Sequence, residues 1–73
     1  MTPPPDQGQI TVNGKPRPIA ADTALPALLG DLGVGGIPVL VEHNGIALRP
    51  SEHAEAVVKA GDRLEIIRVV AGG

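Results

Sequence analysis

The chain contains no cysteine and no aromatic residue, and the two absences exclude several kinds of function. Without cysteine there is no disulfide, no thiolate ligand for zinc and no thiol nucleophile. Without Phe, Trp or Tyr there is no platform on which the bases of a single strand could stack. The six basic and eight acidic residues are scattered and give a net charge of −2, which argues against a basic stripe that follows phosphates. We therefore expect no nucleic-acid partner.

Long hydrophobic runs are also missing. The longest extends from Ile37 to Val41, contains Pro38, and is far too short to cross a bilayer. No basic residue precedes Lys15 and no apolar segment follows Met1, which is unlike an export signal. These features predict a cytoplasmic protein without a membrane partner.

The 73 residues suffice for one small domain. Eight Val, six Ile and seven Leu are too many for a fully disordered chain. Residues 1–8 read MTPPPDQG, and three prolines in five residues disfavour both helix and strand pairing. We expect a disordered proline-rich lead over residues 1–8, a folded domain over residues 9–70 and a flexible tail over residues 71–73.

The first half of the domain begins with a hairpin pattern. Gln9 to Val12 alternates polar and apolar residues, and Asn13-Gly14 is a dipeptide that accepts the positive φ angles of a two-residue turn. Lys15 to Ala20 is the predicted return strand. Its Pro16 and Pro18 are two residues apart, so both missing N–H groups face the same side. That spacing predicts an edge strand.

A leucine stripe follows the hairpin. Its members recur at the spacing of one helix face: Leu25, Leu28, Leu29 and Leu32. Asp22 or Thr23 is the expected N-cap of this helix. Pro26 falls in the first turn, where its missing N–H matters little, and Gly33 is suited to the C-terminal stop.

The second half predicts two more strands, a short helix and a final strand. Ile37 to His43 and Ile46 to Arg49 flank a second turn, Asn44-Gly45. Ser51 is the expected cap of a short helix that continues through Val58, and a turn over residues 59–62 follows it.

The last predicted strand covers residues 63–70. Alternation along it places Leu64 and Ile66 on the core face, and Glu65 and Ile67 on the outer face.

This element order predicts an α+β fold. One helix between two hairpins must cover one face of a single mixed sheet of about five strands, in ββαββ-β order. Pairing of the first and last strands at the centre leaves the proline-bearing strand on an edge. That is the β-grasp arrangement.

Few side chains offer chemistry of their own. The glycines from Gly30 to Gly36 follow a helix and precede a strand, the reverse of a dinucleotide-binding loop. His43 and His53 show no metal-ligand spacing and are interpreted as ordinary surface histidines. Ser51 lacks the context of a nucleophile. We expect no metal and no catalytic residue.

The end of the sequence, Ala71-Gly72-Gly73, has two possible interpretations. It could be a frayed tail. It could equally be a reactive one, because glycines lack a Cβ and can enter a channel too narrow for side chains. A main-chain carboxylate, with a pKa of about 3.5, is ionised at neutral pH and could attack an activated phosphate.

Two stretches resemble a known family. They are ITVNGK, from Ile10, and VLVEHNGIALRPSEHAEAVVKAGDRLEIIRVVAGG, from Val39 to Gly73. They are similar to the thiamine-biosynthesis sulfur carrier proteins, the ThiS family, within the ubiquitin-like β-grasp group. The spacing of Gly61-Asp62, the LEII strand and the AGG terminus carries most of the similarity.

The resemblance implies a protein cosubstrate without enzymatic activity of its own. A ThiF-like adenylyltransferase of the ubiquitin-activating type would use ATP to adenylate the carboxylate of Gly73, with no cofactor bound to this chain. A cysteine desulfurase would supply sulfur to form a thiocarboxylate, and a ThiG-like thiazole synthase would accept the sulfur. Gly72 and Ala71 would thread into the partners' active sites.

Alternatives remain open at this stage. The same tail would serve a molybdopterin-synthase small subunit, another sulfur carrier or a ubiquitin-like modifier, and a β-grasp interaction module would have an inert tail. An exposed Ile67, with Val69 or Val70, is a possible surface on which a partner docks.

Overall fold

A computed structural model describes residues 8–70 of the chain. The strands are β1 (Gly8–Val12), β2 (Lys15–Ile19), β3 (Thr23–Ala24), β4 (Val39–His43), β5 (Ile46–Leu48), β6 (Val57–Val58) and β7 (Arg63–Arg68). The helices are α1 (Leu25–Asp31) and a 3₁₀ helix (Pro50–Glu55). The predicted lead up to residue 7 and the predicted tail, residues 71–73, lie outside the described residues.

Five strands form one mixed sheet in the order β2-β1-β7-β4-β5. β7 lies at its centre, parallel to β1 and antiparallel to β4. The helix α1 covers one face of this sheet, because the apolar side chains of β1, β4 and β7 need a cover. The predicted α+β, β-grasp arrangement with the first and last strands paired at the centre is confirmed.

Both predicted hairpin turns are present. The backbone φ is positive at Asn13 (51°) and Gly14 (82°), and at Asn44 (53°) and Gly45 (84°). These are the angles that a two-residue turn between twisted strands requires. β2 is an edge strand, as its prolines predicted, and it begins directly after the first turn.

The leucine stripe is also confirmed. Leu25, Leu28 and Leu29 are buried, whereas Leu32, just after the helix, is only partly buried against the same core. The core they join is made entirely of aliphatic side chains: Ile10, Ile19, Val39, Val41, Val58 and Leu64. Gly33, with φ of 83°, follows the end of the helix as predicted.

The predicted helix caps are wrong. The N-cap of α1 is Ala24, which has no side-chain acceptor, and the hydroxyl of Thr23 instead donates to the carbonyl of Ala21. Thr23 and Ala24 form β3, which pairs with β6 in a small second sheet. The first amide of the helix, that of Leu25, donates to Ala56 O at 2.9 Å. A tertiary bond therefore replaces the cap.

The short helix also differs from its prediction. It is a 3₁₀ helix that ends at Glu55, and Val58 lies fully buried in β6. Its N-cap is Arg49 rather than Ser51, because the helix begins at Pro50, and the backbone N–H of Arg49 donates to the carboxylate of Glu52 at 2.7 Å.

Several strand ends differ by one or two residues. β1 begins at Gly8, inside the predicted lead, where a Cβ would collide with the side chain of Ala60. β2 ends at Ile19, β4 begins at Val39, β5 ends at Leu48 and β7 ends at Arg68. Within residues 8–70, no helix is both long enough and apolar enough to span a membrane.

Candidate functional site

The central strand β7 leads directly to the predicted reactive tail. Its pairing with β4 continues past its last residue, because Val69 N–H donates to Pro38 O at 3.0 Å. Ala71, Gly72 and Gly73 lie outside the described residues, so their predicted roles stay predictions. What the structure describes is the platform from which the tail departs.

The side chain of Asn13 extends the ladder between β1 and β7. Its Oδ1 accepts from Ile66 N–H at 2.7 Å, and its Nδ2 donates to Ile66 O at 3.1 Å. The amide group thus takes the place of a further β1 residue after the chain has turned away. One asparagine therefore forms a hairpin turn and anchors the strand that precedes the tail.

A second asparagine anchors the start of β7. Asn44 Oδ1 accepts from Arg63 N–H at 2.8 Å, and Asn44 Nδ2 donates to Asp62 at 3.1 Å. Asp62 also accepts from His43 Nε2 at 2.7 Å and from Lys59 N–H at 2.9 Å. Side chains from the two hairpin turns or beside them therefore fasten the central strand at its start and at Ile66, its fourth residue.

Several opposing influences set the pKa of Asp62. Burial raises it, but hydrogen bonds from the His43 side chain, the Lys59 backbone and the Asn44 side chain lower it more. The net result is a pKa below the ordinary value of 3.8. When folding lowers the pKa of a carboxyl group, that group stabilises the folded state at pH values above its pKa in the unfolded chain. The stabilisation is lost as the pH falls through the lower pKa of the folded state.

We expect Asp62→Asn to lower the free energy of unfolding at neutral pH by about 1–3 kcal/mol. The reason is that the donors that bond Asp62 in this half-buried site would lose a charged acceptor. The difference from the native chain should shrink as the pH falls below 3.8, where the native carboxyl also becomes protonated. Urea titrations followed by far-ultraviolet circular dichroism at several pH values would measure it. A difference that persists undiminished at the lowest pH would contradict this account.

The interpretation of the histidines as ordinary surface residues is wrong. The His43 side chain is only 19% exposed and bonds to Asp62. The Nε2 atom of His53 is buried and has no hydrogen-bond partner among the residues described. No group of three or more potential metal ligands occurs in residues 8–70.

The open face of the sheet, opposite α1, carries the predicted docking residue. Leu64 is fully buried, Ile66 packs against the core and Ile67 is 60% exposed, so the predicted faces of the last strand are confirmed. Leu40, 56% exposed, lies directly opposite Ile67 on β4. Leu40 was not among the predicted docking residues, because only the strand register makes it the partner of Ile67.

The next pair along the same face is acidic. Glu42 of β4 lies opposite Glu65 of β7, and Ala47 of β5 lies on the other side of Glu42. These residues, with Leu40 and Ile67, border a shallow groove of about 140 Å³. The apolar and acidic pairs thus form one continuous surface.

The other two predicted docking residues lie beyond β7. Val69 is 47% exposed and Val70 is 81% exposed. Val69 borders a second depression, near Pro38 and His53, rather than the groove of the open face. The structure therefore joins Ile67 with Leu40 and does not gather all three predicted residues into one groove.

The family assignment comes from a comparison with protein-family models. The model of the ThiS family matches residues 10–73, which include all but the first two residues of β1 and extend through the predicted tail. The chain belongs to the ThiS family. The resemblance to this family that the sequence shows is therefore confirmed.

Two similar proteins agree with this family. A crystal structure of the thiamine biosynthesis protein ThiS from Geobacter metallireducens is 35% identical, with a TM-score of 0.76 over 89% of this chain and 99% of that chain. A thiazole synthase of Paramagnetospirillum magneticum is 38% identical over 65 residues. The match covers 89% of this chain but only 20% of that longer relative.

Proposed function

We propose that this protein carries sulfur for thiazole formation in thiamine biosynthesis, as a cosubstrate of other enzymes and not as an enzyme. The observation that carries the proposal is the family match through Gly73, at the end of the segment that the central strand β7 leads into. The two asparagine anchors hold that strand, while the tail itself supplies the reacting group.

The reacting group in this proposal is the carboxylate of Gly73. Its oxygen attacks the α-phosphorus of ATP on a ThiF-like adenylyltransferase, and pyrophosphate leaves. The terminal sulfur of a persulfide, supplied by a cysteine desulfurase, then displaces AMP from the acyl-adenylate to give an acyl disulfide. A thiol reduces this acyl disulfide, which leaves the thiocarboxylate of Gly73 and a new disulfide. ATP is used by the partner, and Ala71 and Gly72 enter its active site because they have little or no side chain.

The proposed acceptor of the sulfur is a ThiG-like thiazole synthase. This choice of acceptor is supported by the thiazole synthase of Paramagnetospirillum magneticum, in which a segment similar to this chain forms part of a longer protein. A carrier segment and a synthase in one chain would meet at high effective concentration.

The test is the intact mass of a chain prepared to end at Gly73, after incubation with ATP, an active adenylyltransferase and a sulfur source. We expect a gain equal to the replacement of one oxygen by one sulfur. A matched chain with one alanine added after Gly73 should gain nothing, because its carboxylate is displaced by a residue. No gain in the native chain, with enzymes that load another carrier, would refute the proposal.

We expect Ile67→Asp to weaken binding to the adenylyltransferase by roughly tenfold or more, because a charge would replace an apolar contact at an interface. Isothermal titration calorimetry would measure the dissociation constant. Ile46→Asp is the matched control, since Ile46 is 66% exposed but lies on β5 in register with His43, on the other face. Equal affinities of the two variants would argue against docking through the open face.

A further inference from the structure

The groove on the open face combines two exposed aliphatic side chains with two carboxylates. Leu40 and Ile67 form one cross-strand pair, and Glu42 and Glu65 form the next pair two residues along. The remaining lining, from Val41, Ala47 and Leu48, is apolar. No residue that lines this groove in the described part of the chain carries a positive charge.

The carboxylate pair is unfavourable in the free protein. Like charges directly opposite each other on neighbouring strands destabilise a sheet, since their Cβ atoms are only about 5 Å apart. Leu40 and Ile67 beside them expose apolar surface to water at 56% and 60%. Both features would become favourable against a partner that brings positive charge and apolar surface together.

Arginine has the side chain that fits both features. Its planar guanidinium carries five N–H donors and can bond two carboxylates at once, and its aliphatic stem can lie along apolar side chains. A lysine ammonium would be a point charge without this fork geometry. The charge and shape of the groove therefore favour a guanidinium over the acidic pair.

We propose that this groove docks an apolar surface of the adenylyltransferase that places an arginine between Glu42 and Glu65 and buries Leu40 and Ile67. The proposal rests on the proposed function and names the chemistry of its partner. Gly73 lies eight residues beyond Glu65, and an extended chain spans at most about 29 Å over that length. The docked arginine must therefore lie within roughly 30 Å of the site where the partner activates Gly73.

The first test uses Glu42→Gln and Glu65→Gln, which remove one charge each and keep the side-chain shape. We expect each to weaken binding to the adenylyltransferase by roughly tenfold, because one charge-assisted bond becomes a neutral one. The thermal midpoint of the free protein should stay equal or rise, because the repulsion is relieved. Reduced affinity together with undiminished stability separates an interface role from a structural one.

The matched control is Glu55→Gln, which makes the same charge change at an exposed position in the 3₁₀ helix. Its affinity should equal that of the native chain. The affinity of the native chain should fall as salt is added, and that of the Glu42→Gln/Glu65→Gln double variant should fall much less. If the double variant binds as tightly as Glu55→Gln, the proposal is wrong.

A failure of this docking proposal can be distinguished from a failure of the proposed function. If the native chain gains sulfur but the glutamine variants bind with native affinity, only the acidic docking groove is refuted. If the native chain gains no sulfur with enzymes that load another carrier, the carrier function itself fails.

Discussion

Removal of Gly72 and Gly73 is expected to abolish sulfur loading completely and to leave the stability of the domain unchanged. The new carboxylate would sit on Ala71, two residues short of the position from which Gly73 would react. Within residues 8–70, the nine buried core residues fall between Ile10 and Leu64, so the deletion removes none of these nine. Intact mass would measure the loading, and thermal unfolding by circular dichroism would measure the stability.

A second variant tests the glycine backbone of the tail separately from its terminal carboxylate. Gly72→Val keeps the carboxylate of Gly73 but adds a branched side chain to the segment that would thread. We expect full stability and severely reduced loading, because a valine does not fit where only a glycine backbone passes. Normal loading of the valine variant would limit the role of the tail to its terminal group, and loading of the shortened chain would contradict the proposed site.

The largest expected effect on stability comes from Leu64→Ala. Leu64 is fully buried in the central strand and belongs to the aliphatic core beneath α1. Truncation of a buried leucine costs about 2–5 kcal/mol, from the lost transfer energy and the cavity left behind. Domains have only about 5–15 kcal/mol in total, so a domain of this size should be partly unfolded at physiological temperature.

Ile67→Ala is the matched control for that loss. It lies three residues further along the same strand, but its side chain is 60% exposed. We expect a change within about 0.5 kcal/mol, as at most surface positions. Urea titration followed by circular dichroism suits both variants, because the chain has no Trp or Tyr to report by fluorescence. Equal midpoints for the two variants would contradict the description of the core.

Local patterns in the sequence were enough for the main elements and their faces. Asn13-Gly14 and Asn44-Gly45 predicted two turns that require positive φ, and the turns are there. The proline spacing in β2 predicted an edge strand, because a missing donor can be tolerated only where no neighbour needs it. Each of these rules involves residues close together in the chain, so it can be read without knowledge of the fold.

The tertiary structure alone decided which distant residues meet. Alternation along the last strand predicted that Glu65 faces outward, but only the register of β4 against β7 sets Glu42 opposite it. The bonds from Asn13 to Ile66 and from His43 to Asp62 likewise cross 53 and 19 residues of chain.

The N-cap of α1 was predicted wrongly for the same reason: a contact between distant residues decides it. The amide of Leu25 is satisfied by Ala56, so α1 needs no side-chain cap from its own neighbours. Turn dipeptides and alternation therefore determined the strands and the helix, and the quoted sequence stretches carried the family resemblance. The anchors of the central strand and the acidic groove depended on strand register, which is a property of long-range packing rather than of any local stretch.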